Sequence, residues 1–75
     1  ANTSIGNNTY IGPNAIISRK VSIGNFCIIG TNSYVNKSFP NYSVIWGCPA
    51  KIVGNIVFSE DGTDFSVNYY DKKQA

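Results

Sequence analysis

Branched aliphatic residues occupy every sixth position through the first half of the chain, in sequence that is otherwise polar and rich in asparagine. They are Ile5, Ile11, Ile17, Ile23, Ile29 and Val35. A second residue of a size that suits an interior follows four positions after each, at Thr9, Ala15, Val21, Cys27, Ser33 and Phe39. A fixed short period of this kind predicts an all-β parallel β-helix. Three units would form one triangular coil, so that Ile5 stacks on Ile23 and Ile11 on Ile29.

The polar positions of the repeat predict its turns. Glycine follows the aliphatic residue at Gly6, Gly12, Gly24 and Gly30, and asparagine stands two positions further along at Asn8, Asn14 and Asn32. We expect both residue types to accept the positive φ angles of sharp bends. An amphipathic α-helix is excluded, because its apolar residues recur at intervals of three and four and it would not tolerate this much glycine and proline. The strict alternation of a half-buried antiparallel strand is also missing.

The period predicts about two coils, from Ile5 to about Pro40, followed by different structure. Pro40 removes a backbone donor and should interrupt the coil. The apolar run that follows predicts a closing strand, with Trp46 as an apolar plug. Asp61-Gly62 lies between β-rich runs and predicts a C-terminal hairpin, with a partly ordered arm as the alternative. We therefore divide the chain into a repeat domain with its closing segment, residues 1–54, and a hairpin or arm, residues 55–75.

The repeat is short for an independent fold. The chain has 75 residues, a length at which a single core is marginally stable. Solenoids normally need three or more repeats and capped ends. We expect partner chains or further sequence to complete the stack. Because Thr3 stands one period before Thr9, we also expect the chain to be the C-terminal piece of a longer polypeptide.

Charge and hydropathy narrow the function classes. A net charge of +2 is too small for electrostatic binding of nucleic acid. No apolar run approaches the ~18 residues of a membrane span, so no membrane partner is predicted. The sequence also lacks the charged, apolar and small segments of a signal peptide, which favours a cytoplasmic location.

The cysteines predict no metal or redox site. Cys27 stands at an interior position, where a thiol behaves as a small apolar group, and Cys48 lies in a Gly-Cys-Pro turn. The chain contains no histidine, so the zinc ligands of a γ-type carbonic anhydrase are missing from it. An ice-binding β-helix would display Thr-x-Thr ranks, and none occurs.

Residues 3–54 resemble the C-terminal end of the hexapeptide-repeat acyltransferases. In that superfamily the hexads are followed by a Pro-x-x-Ser-Val and a Gly-x-Pro-Ala-Lys pattern, which here are Pro40–Val44 and Gly47–Lys51. The layout is most similar to bacterial acetyltransferases that modify amino sugars or sialic acids of surface glycans. The resemblance implies a left-handed helix, contrary to the usual right-handed crossover. It also implies a homotrimer, with acetyl-CoA in a groove between neighbouring helices and a sugar acceptor beside it.

Four residues are candidates for the acetyl-CoA site. Gly12 and Gly30 are three units apart and should stack at one corner, and Cys48 would extend this column if the break adds no offset. The missing side chains would let a pantetheine chain approach the backbone and its amides, and Thr31 could contribute similarly. The alternative is that these glycines only make turns. By resemblance, Lys51 lies near the nucleotide end of the coenzyme, where an ammonium can pair with phosphate.

Lys51 and Trp46 each allow a second interpretation. Lys51 could equally be solvated surface, and Trp46 could stack on adenine instead of closing the coil.

By resemblance, a histidine acts as general base on the acceptor, but the chain has none. Its carboxylates all lie in the tail, at Glu60, Asp61, Asp64 and Asp71. We expect the base to lie outside this chain and the chain alone to be inactive as an O- or N-acetyltransferase; the alternative is a non-catalytic trimerisation or scaffold module.

Overall fold

The computed structural model describes residues 3–70, which form strands and turns without a helix. The strands of the repeat are two residues long: β1 (Ser4–Ile5), β2 (Tyr10–Ile11), β3 (Ile16–Ile17), β4 (Ser22–Ile23), β5 (Ile28–Ile29) and β6 (Tyr34–Val35). Three longer strands follow: β7 (Ser43–Gly47), β8 (Ala50–Phe58) and β9 (Phe65–Tyr69). The all-β prediction is confirmed. These residues contain no helix of the length and apolarity that a bilayer crossing requires.

The short strands stack in parallel pairs, one coil on the next. β1 pairs with β4, β2 with β5 and β3 with β6. The register places Ile5 on Ile23, Ile11 on Ile29 and Ile17 on Val35, which confirms the stacking that the six-residue period predicts. Each aliphatic residue therefore contacts its equivalent in the next coil, and the interior is built layer by layer.

The coil continues past Pro40, so the predicted interruption at this proline is wrong. Phe39 pairs with Ile23, and β7 pairs in parallel with β5. Equivalent residues of the second and third layers are 16 positions apart, as in the bond from the Asn25 amide to the Asn41 side chain, whereas the first two layers are 18 apart. The corner after β6 is thus two residues shorter. As a consequence, Phe39 takes the position of a ladder residue, and a third, partial coil covers the second.

The turn prediction is right for asparagine and wrong for glycine. Positive φ occurs at Asn8, Asn14 and Asn32, as expected. The glycines that follow the aliphatic residues do not have positive φ. Glycine is needed there because the next layer lies too close to leave room for a Cβ. A Cβ on Gly30 would overlap the indole of Trp46, and one on Gly6 would lie 2.6 Å from the Gly24 carbonyl oxygen. Close stacking of the corners, rather than backbone conformation, explains these glycines.

The core lies between the second and third layers. Ile29, Val35 and Ile45 are completely buried, and Cys27 is buried at its interior position as predicted. In the first layer the side chains of Ile5 and Ile11 remain 41% and 39% exposed, since nothing in the described structure covers them. The interior is therefore well packed at the C-terminal end of the coil and open at the other end.

The C-terminal hairpin is confirmed, and it docks on the coil. β8 pairs antiparallel with both β7 and β9, which extends one sheet in the order β2-β5-β7-β8-β9. β8 runs without a break across residue 54, so the closing segment and the first hairpin strand are continuous. The Phe58 ring lies 5.3 Å from that of Phe26 and 5.8 Å from that of Tyr42. The polar residues 71–75 at the end of the chain lie outside the described residues.

Candidate functional site

The structure brings three of the four predicted site residues together at one corner of the coil. The Gly12 amide donates to the Ile29 carbonyl oxygen at 2.8 Å, which places Gly12 one layer above Gly30. A Cβ on Gly12 would lie 2.8 Å from the Thr31 nitrogen and 3.0 Å from the Gly30 carbonyl carbon. Gly12 and Gly30 are buried, whereas Thr31 is exposed. A ligand at this corner would therefore meet Thr31 first.

The amides of the two glycines are engaged within the coil. Gly12 donates to Ile29, and Gly30 donates to the Ile45 carbonyl oxygen, also at 2.8 Å. These bonds connect the layers, so the glycines hold the corner together as part of the ladder. The space that a side chain would take is filled by close packing: beside Gly12 lies the backbone of Gly30 and Thr31, and beside Gly30 lies the Trp46 indole.

Trp46, and not Cys48, extends the column below Gly30. The corner that is two residues shorter shifts the register, and the Trp46 indole fills the space where a Gly30 Cβ would lie. Cys48 instead lies exposed in the turn between β7 and β8. The signal for this shift is present in the sequence, because residues 25–29 (Asn-Phe-Cys-Ile-Ile) and 41–45 (Asn-Tyr-Ser-Val-Ile) follow one pattern.

Trp46 does not close the end of the coil, so its prediction as a plug is wrong. Its side chain is 43% exposed, on the outside of the coil, whereas Ile45 is completely buried in the interior. Successive residues of a strand point to opposite faces, and Ile45 takes the inward position. Ile45 and the buried Ala50 close the interior instead.

Lys51 lies beside this column. It is paired with Trp46 across the antiparallel β7–β8 ladder and is exposed. The other cations of residues 3–70 lie elsewhere: Arg19 and Lys20 are between β3 and β4, and Lys37 follows β6 with its Nζ 5.7 Å from the Phe39 ring centroid. Lys51 is therefore the cation that this part of the structure places at the Gly12–Gly30 corner.

An open cleft adjoins Trp46 on the outer surface. Trp46, Gly47, Val53 and Tyr69 line a cavity of about 440 Å³. β8 lies between the two aromatic side chains, because Trp46 belongs to β7 and Tyr69 to β9. Tyr69 is 58% exposed. No local sequence signal connects Tyr69 with this corner.

A second cavity lies between the outer face of the coil and the hairpin. It has a volume of about 430 Å³, and its walls include the rings of Tyr10, Phe26, Phe58 and Phe65. No charged side chain lines it. The aromatic residues that dock the hairpin form much of this wall, so the cavity is a by-product of the docking and suits an apolar group.

The described carboxylates lie far along the hairpin from the Lys51 corner. Glu60, Asp61 and Asp64 are in the loop after β8, at the opposite end of that strand from Lys51. A hydrogen bond from the Ser59 hydroxyl, together with bonds from the Thr63 amide and hydroxyl, lowers the pKa of Asp61 to about 2. Asp61 is therefore ionised at neutral pH and serves the loop. Asp71 lies outside the described residues, and residues 3–70 contain no cluster of ligands for a metal ion.

Comparisons with known proteins match this chain to enzymes that share its repeat. Residues 2–37 match the family described as bacterial transferase hexapeptide (six repeats). The galactoside O-acetyltransferase of Escherichia coli is 35% identical over 69 residues, which are 92% of this chain and 31% of that protein. A chloramphenicol acetyltransferase of Agrobacterium fabrum is 39% identical over 51 residues, which are 68% of this chain and 24% of that protein.

A solved structure extends the likeness to three dimensions. The hexapeptide-repeat acetyltransferase of Vibrio cholerae, complexed with acetyl coenzyme A, matches with a TM-score of 0.69 and 32% identity, over 71% of this chain and 29% of that one. This confirms the predicted fold class, an all-β left-handed parallel β-helix. The chain spans less than a third of the length of these relatives. By its repeat, its fold and its relatives, the chain belongs to the hexapeptide-repeat acyltransferase superfamily.

Proposed function

We propose that this chain supplies part of the acetyl-CoA site of an acetyltransferase. The observation that carries the proposal is the corner at which Gly12, Gly30 and Thr31 pack together and at which Trp46 and Lys51 continue the same surface. The Vibrio cholerae relative, which shares the fold, was solved with acetyl coenzyme A bound. A slender chain and a phosphate fit a closely packed corner with an indole and an adjacent ammonium on its surface.

Each residue of the corner has a separate role in this proposal. Acetyl-CoA supplies an acetyl group activated as a thioester. The buried glycines let the layers and the Trp46 indole pack closely, so that the corner is flat and a pantetheine arm can lie along it. Thr31 offers an exposed hydroxyl as hydrogen-bond donor or acceptor. Lys51 pairs with a phosphate as a mobile point charge.

The general base lies outside these 75 residues in this proposal. The chain contains no histidine. Its described carboxylates are confined to the hairpin loop, and the pKa of Asp61 is lowered, which makes its carboxylate a weak base. We therefore expect the chain alone to bind coenzyme without transferring acetyl groups.

We infer a sugar or amino sugar as acceptor, recognised elsewhere in the polypeptide. The relative named for galactoside matches 92% of this chain, which supports a sugar. Another relative is named for chloramphenicol and matches much of the same segment. Since acetyltransferases named for different acceptors match this segment, its task is better assigned to the acetyl donor than to the acceptor.

We further propose a cytoplasmic homotrimer in which neighbouring coils cover each other. Tyr10 and Ile16 are 60% and 61% exposed on the outside of the coil. Exposed apolar side chains of this kind are typical of surfaces that a partner buries. The same observation favours the second candidate function, a scaffold module that trimerises without binding coenzyme.

Calorimetric titration of the chain with acetyl-CoA tests the proposal. We expect saturable binding that Lys51→Ala weakens about tenfold, because a charge-assisted contact to phosphate is lost. Arg19→Ala removes the same charge at a distant corner and should change the affinity less than about twofold. Acetyl transfer is measured as release of free CoA, which is quantified by chromatography because the exposed Cys48 thiol would interfere with a thiol-reactive reagent. This release should not exceed that of a control without protein. A trimer with a β-rich circular dichroism spectrum and no saturable binding would contradict the proposal and favour the scaffold.

A further inference from the structure

The cavity between the outer face of the coil and the hairpin is an apolar groove with exposed rings at its edges. This hairpin groove has a volume of about 430 Å³, and no charged side chain lines it. Two of the aromatic side chains in its wall, Tyr10 of β2 and Phe65 of β9, remain 60% and 57% exposed. An exposed apolar surface of this kind is typical of a site that a partner covers.

The loop at one end of the hairpin groove is negatively charged. Glu60, Asp61 and Asp64 lie between Phe58 and Phe65, which are paired at the ends of β8 and β9. All three carboxylates are exposed. Hydrogen bonds from Ser59 and Thr63 lower the pKa of Asp61, so that it is ionised at neutral pH. The apolar groove therefore has an acidic rim where the hairpin turns.

A second surface, the basic face, combines exposed apolar side chains with positive charge. Ile16 is paired with Tyr34 across β3 and β6, and the two are 61% and 37% exposed. Arg19 and Lys20 follow β3, and Lys37 follows β6, so three of the four cations of residues 3–70 lie at one corner of the coil. All three are exposed. The basic face thus has the chemistry that the groove and its loop lack.

Within one chain the two surfaces lie on different sides of the molecule. β8 and β9 extend the sheet of β2, β5 and β7, whereas β3 and β6 form a separate sheet. Phe58 packs on Phe26 at the corner between β4 and β5, and Arg19 lies at the preceding corner, between β3 and β4. A second copy of the chain can bring the acidic loop and the basic face together.

We propose that the hairpin groove of one protomer receives Ile16 and Tyr34 of a second copy, with its acidic loop against the cations of that copy. Apolar side chains then form the centre of the contact and charged side chains its rim. Because the contact joins two different surfaces, it is heterologous. It does not require the proposed coenzyme site, and it gives the proposed association of copies a specific contact.

Two variants that each lose a different surface test this contact. Glu60→Lys/Asp64→Asn removes the negative charge of the loop, and Lys20→Glu/Lys37→Glu removes the positive charge of the basic face. In sedimentation velocity at low salt, each variant alone should associate at least about tenfold more weakly than the original chain, because the attraction between the rims is lost.

An equal mixture of the two variants should form a complex of one copy each. The intact loop of one variant still fits the intact basic face of the other, which can happen only if the contact joins two different surfaces. This rescue also shows that both variants are folded. A mixture that associates no better than its components, while both retain the circular dichroism of the original chain, would overturn the contact.

The apolar centre is tested on each surface separately. Phe65→Ser in the groove and Ile16→Ser on the coil should each weaken association about tenfold, as truncation of a central apolar side chain does. Val57→Ser is the matched control and should stay within about twofold. Val57 is 44% exposed, but it precedes Phe58 on β8 and so points to the opposite face of the hairpin.

The outcomes separate this contact from the proposed function. Variants of the loop and of the basic face that associate as tightly as the original chain would overturn the contact and leave the proposed homotrimer standing. An original chain that stays monomeric would overturn both. Binding of acetyl-CoA, measured by calorimetry, tests the coenzyme site independently of either result.

Discussion

The coil, residues 3–47, and the hairpin, β8 and β9, stabilise their strands in opposite ways. In the coil, six strands of two residues and the five-residue β7 surround an interior in which Ile29, Val35 and Ile45 are completely buried. In the hairpin, strands of nine and five residues form a long backbone ladder, while Phe65 remains 57% exposed. The coil thus depends on side-chain packing across layers, and the hairpin depends on its ladder and on one-sided aromatic contacts.

Their glycines show the same contrast. Gly30 in the coil has ordinary backbone conformation and no room for a Cβ, because the Trp46 indole occupies that space. Gly62 in the hairpin loop has no atom within 4 Å of a Cβ position, but its φ is +73°. Glycine is therefore required by packing in one region and by backbone conformation in the other. Substitutions can separate these two requirements.

The largest expected effect comes from emptying the coil interior. Ile29→Ala should lower the free energy of unfolding by about 3 to 4 kcal/mol, because it removes fully buried methyl groups and leaves a cavity between layers. Ile11→Ala removes the same groups from the open first layer, where the side chain is 39% exposed, and should cost about 1 to 2 kcal/mol. Urea unfolding followed by circular dichroism gives both values.

Ile29→Val keeps the fold measurable if the alanine variant is too unstable, and should cost about 1 kcal/mol. Equal losses for Ile29→Ala and Ile11→Ala would mean that the first layer is covered as well as the second. That result would contradict the assignment of the core to the layers near the C-terminal end of the coil.

Alanine substitutions of Gly30 and Gly62 should have intermediate effects on stability, and a different second change should compensate for each. Gly30→Ala should cost about 2 kcal/mol, because the new Cβ displaces the Trp46 indole, and Trp46→Ala should recover much of the loss by vacating that space. Gly62→Ala should cost about 1 kcal/mol through its left-handed conformation. Gly62→Asn should cost less than Gly62→Ala, since asparagine tolerates this conformation. Urea midpoints of these variants provide the measurement.

A double variant Gly30→Ala/Trp46→Ala that loses as much stability as the sum of its single changes would show that the two sites do not interact. The close stacking of the corner would then not be the reason for glycine at this position.

The period in the sequence predicts the layers, because stacking requires equivalent residues to recur at a constant spacing. Ile11 on Ile29 and Gly12 on Gly30 both follow from that rule. The shift in the third layer does not follow, because a corner can lose two residues while both neighbouring strands keep their register. The repeated pattern of residues 25–29 and 41–45 would have revealed it. Matching by pattern, rather than by counting, places Trp46 below Gly30.

The open cleft beside Trp46 is harder to predict from the sequence than the layers of the coil. The hairpin itself follows from Asp61-Gly62 between β-rich runs, but the position of Tyr69 depends on the register of β9 on β8. That register pairs Phe58 with Phe65 and Gly54 with Tyr69, and the intervening loop sets it. Tyr69 and Trp46 line one cavity because β8 pairs with both β7 and β9. The turns of these two antiparallel pairs have signals in the sequence, but the registers that determine the cleft do not.

The smallest expected effect concerns the hairpin loop and its pH dependence. Asp61 Oδ1 accepts hydrogen bonds from the Ser59 hydroxyl at 2.7 Å and from the Thr63 hydroxyl at 2.8 Å. These bonds favour the ionised carboxylate and lower its pKa from 3.8 to about 2. Because the folded-state pKa is the lower one, the contribution to stability is present above pH 3.8 and is lost as the pH falls through about 2. The amide chemical shift of Thr63, followed by NMR, should therefore titrate with a midpoint near pH 2.

Asp61→Asn keeps an acceptor oxygen and removes the titration, so the Thr63 amide shift of this variant should stay constant over the same range. The Gly30 amide reports on the coil and should not respond in either protein, since no carboxylate of residues 3–70 lies in the coil. A midpoint near pH 3.8 for Thr63 would show that the loop bonds do not hold the ionised carboxylate in solution. A simultaneous change at Gly30 would show that loop and coil unfold as one unit, which would contradict the separation of the two regions on which this comparison depends.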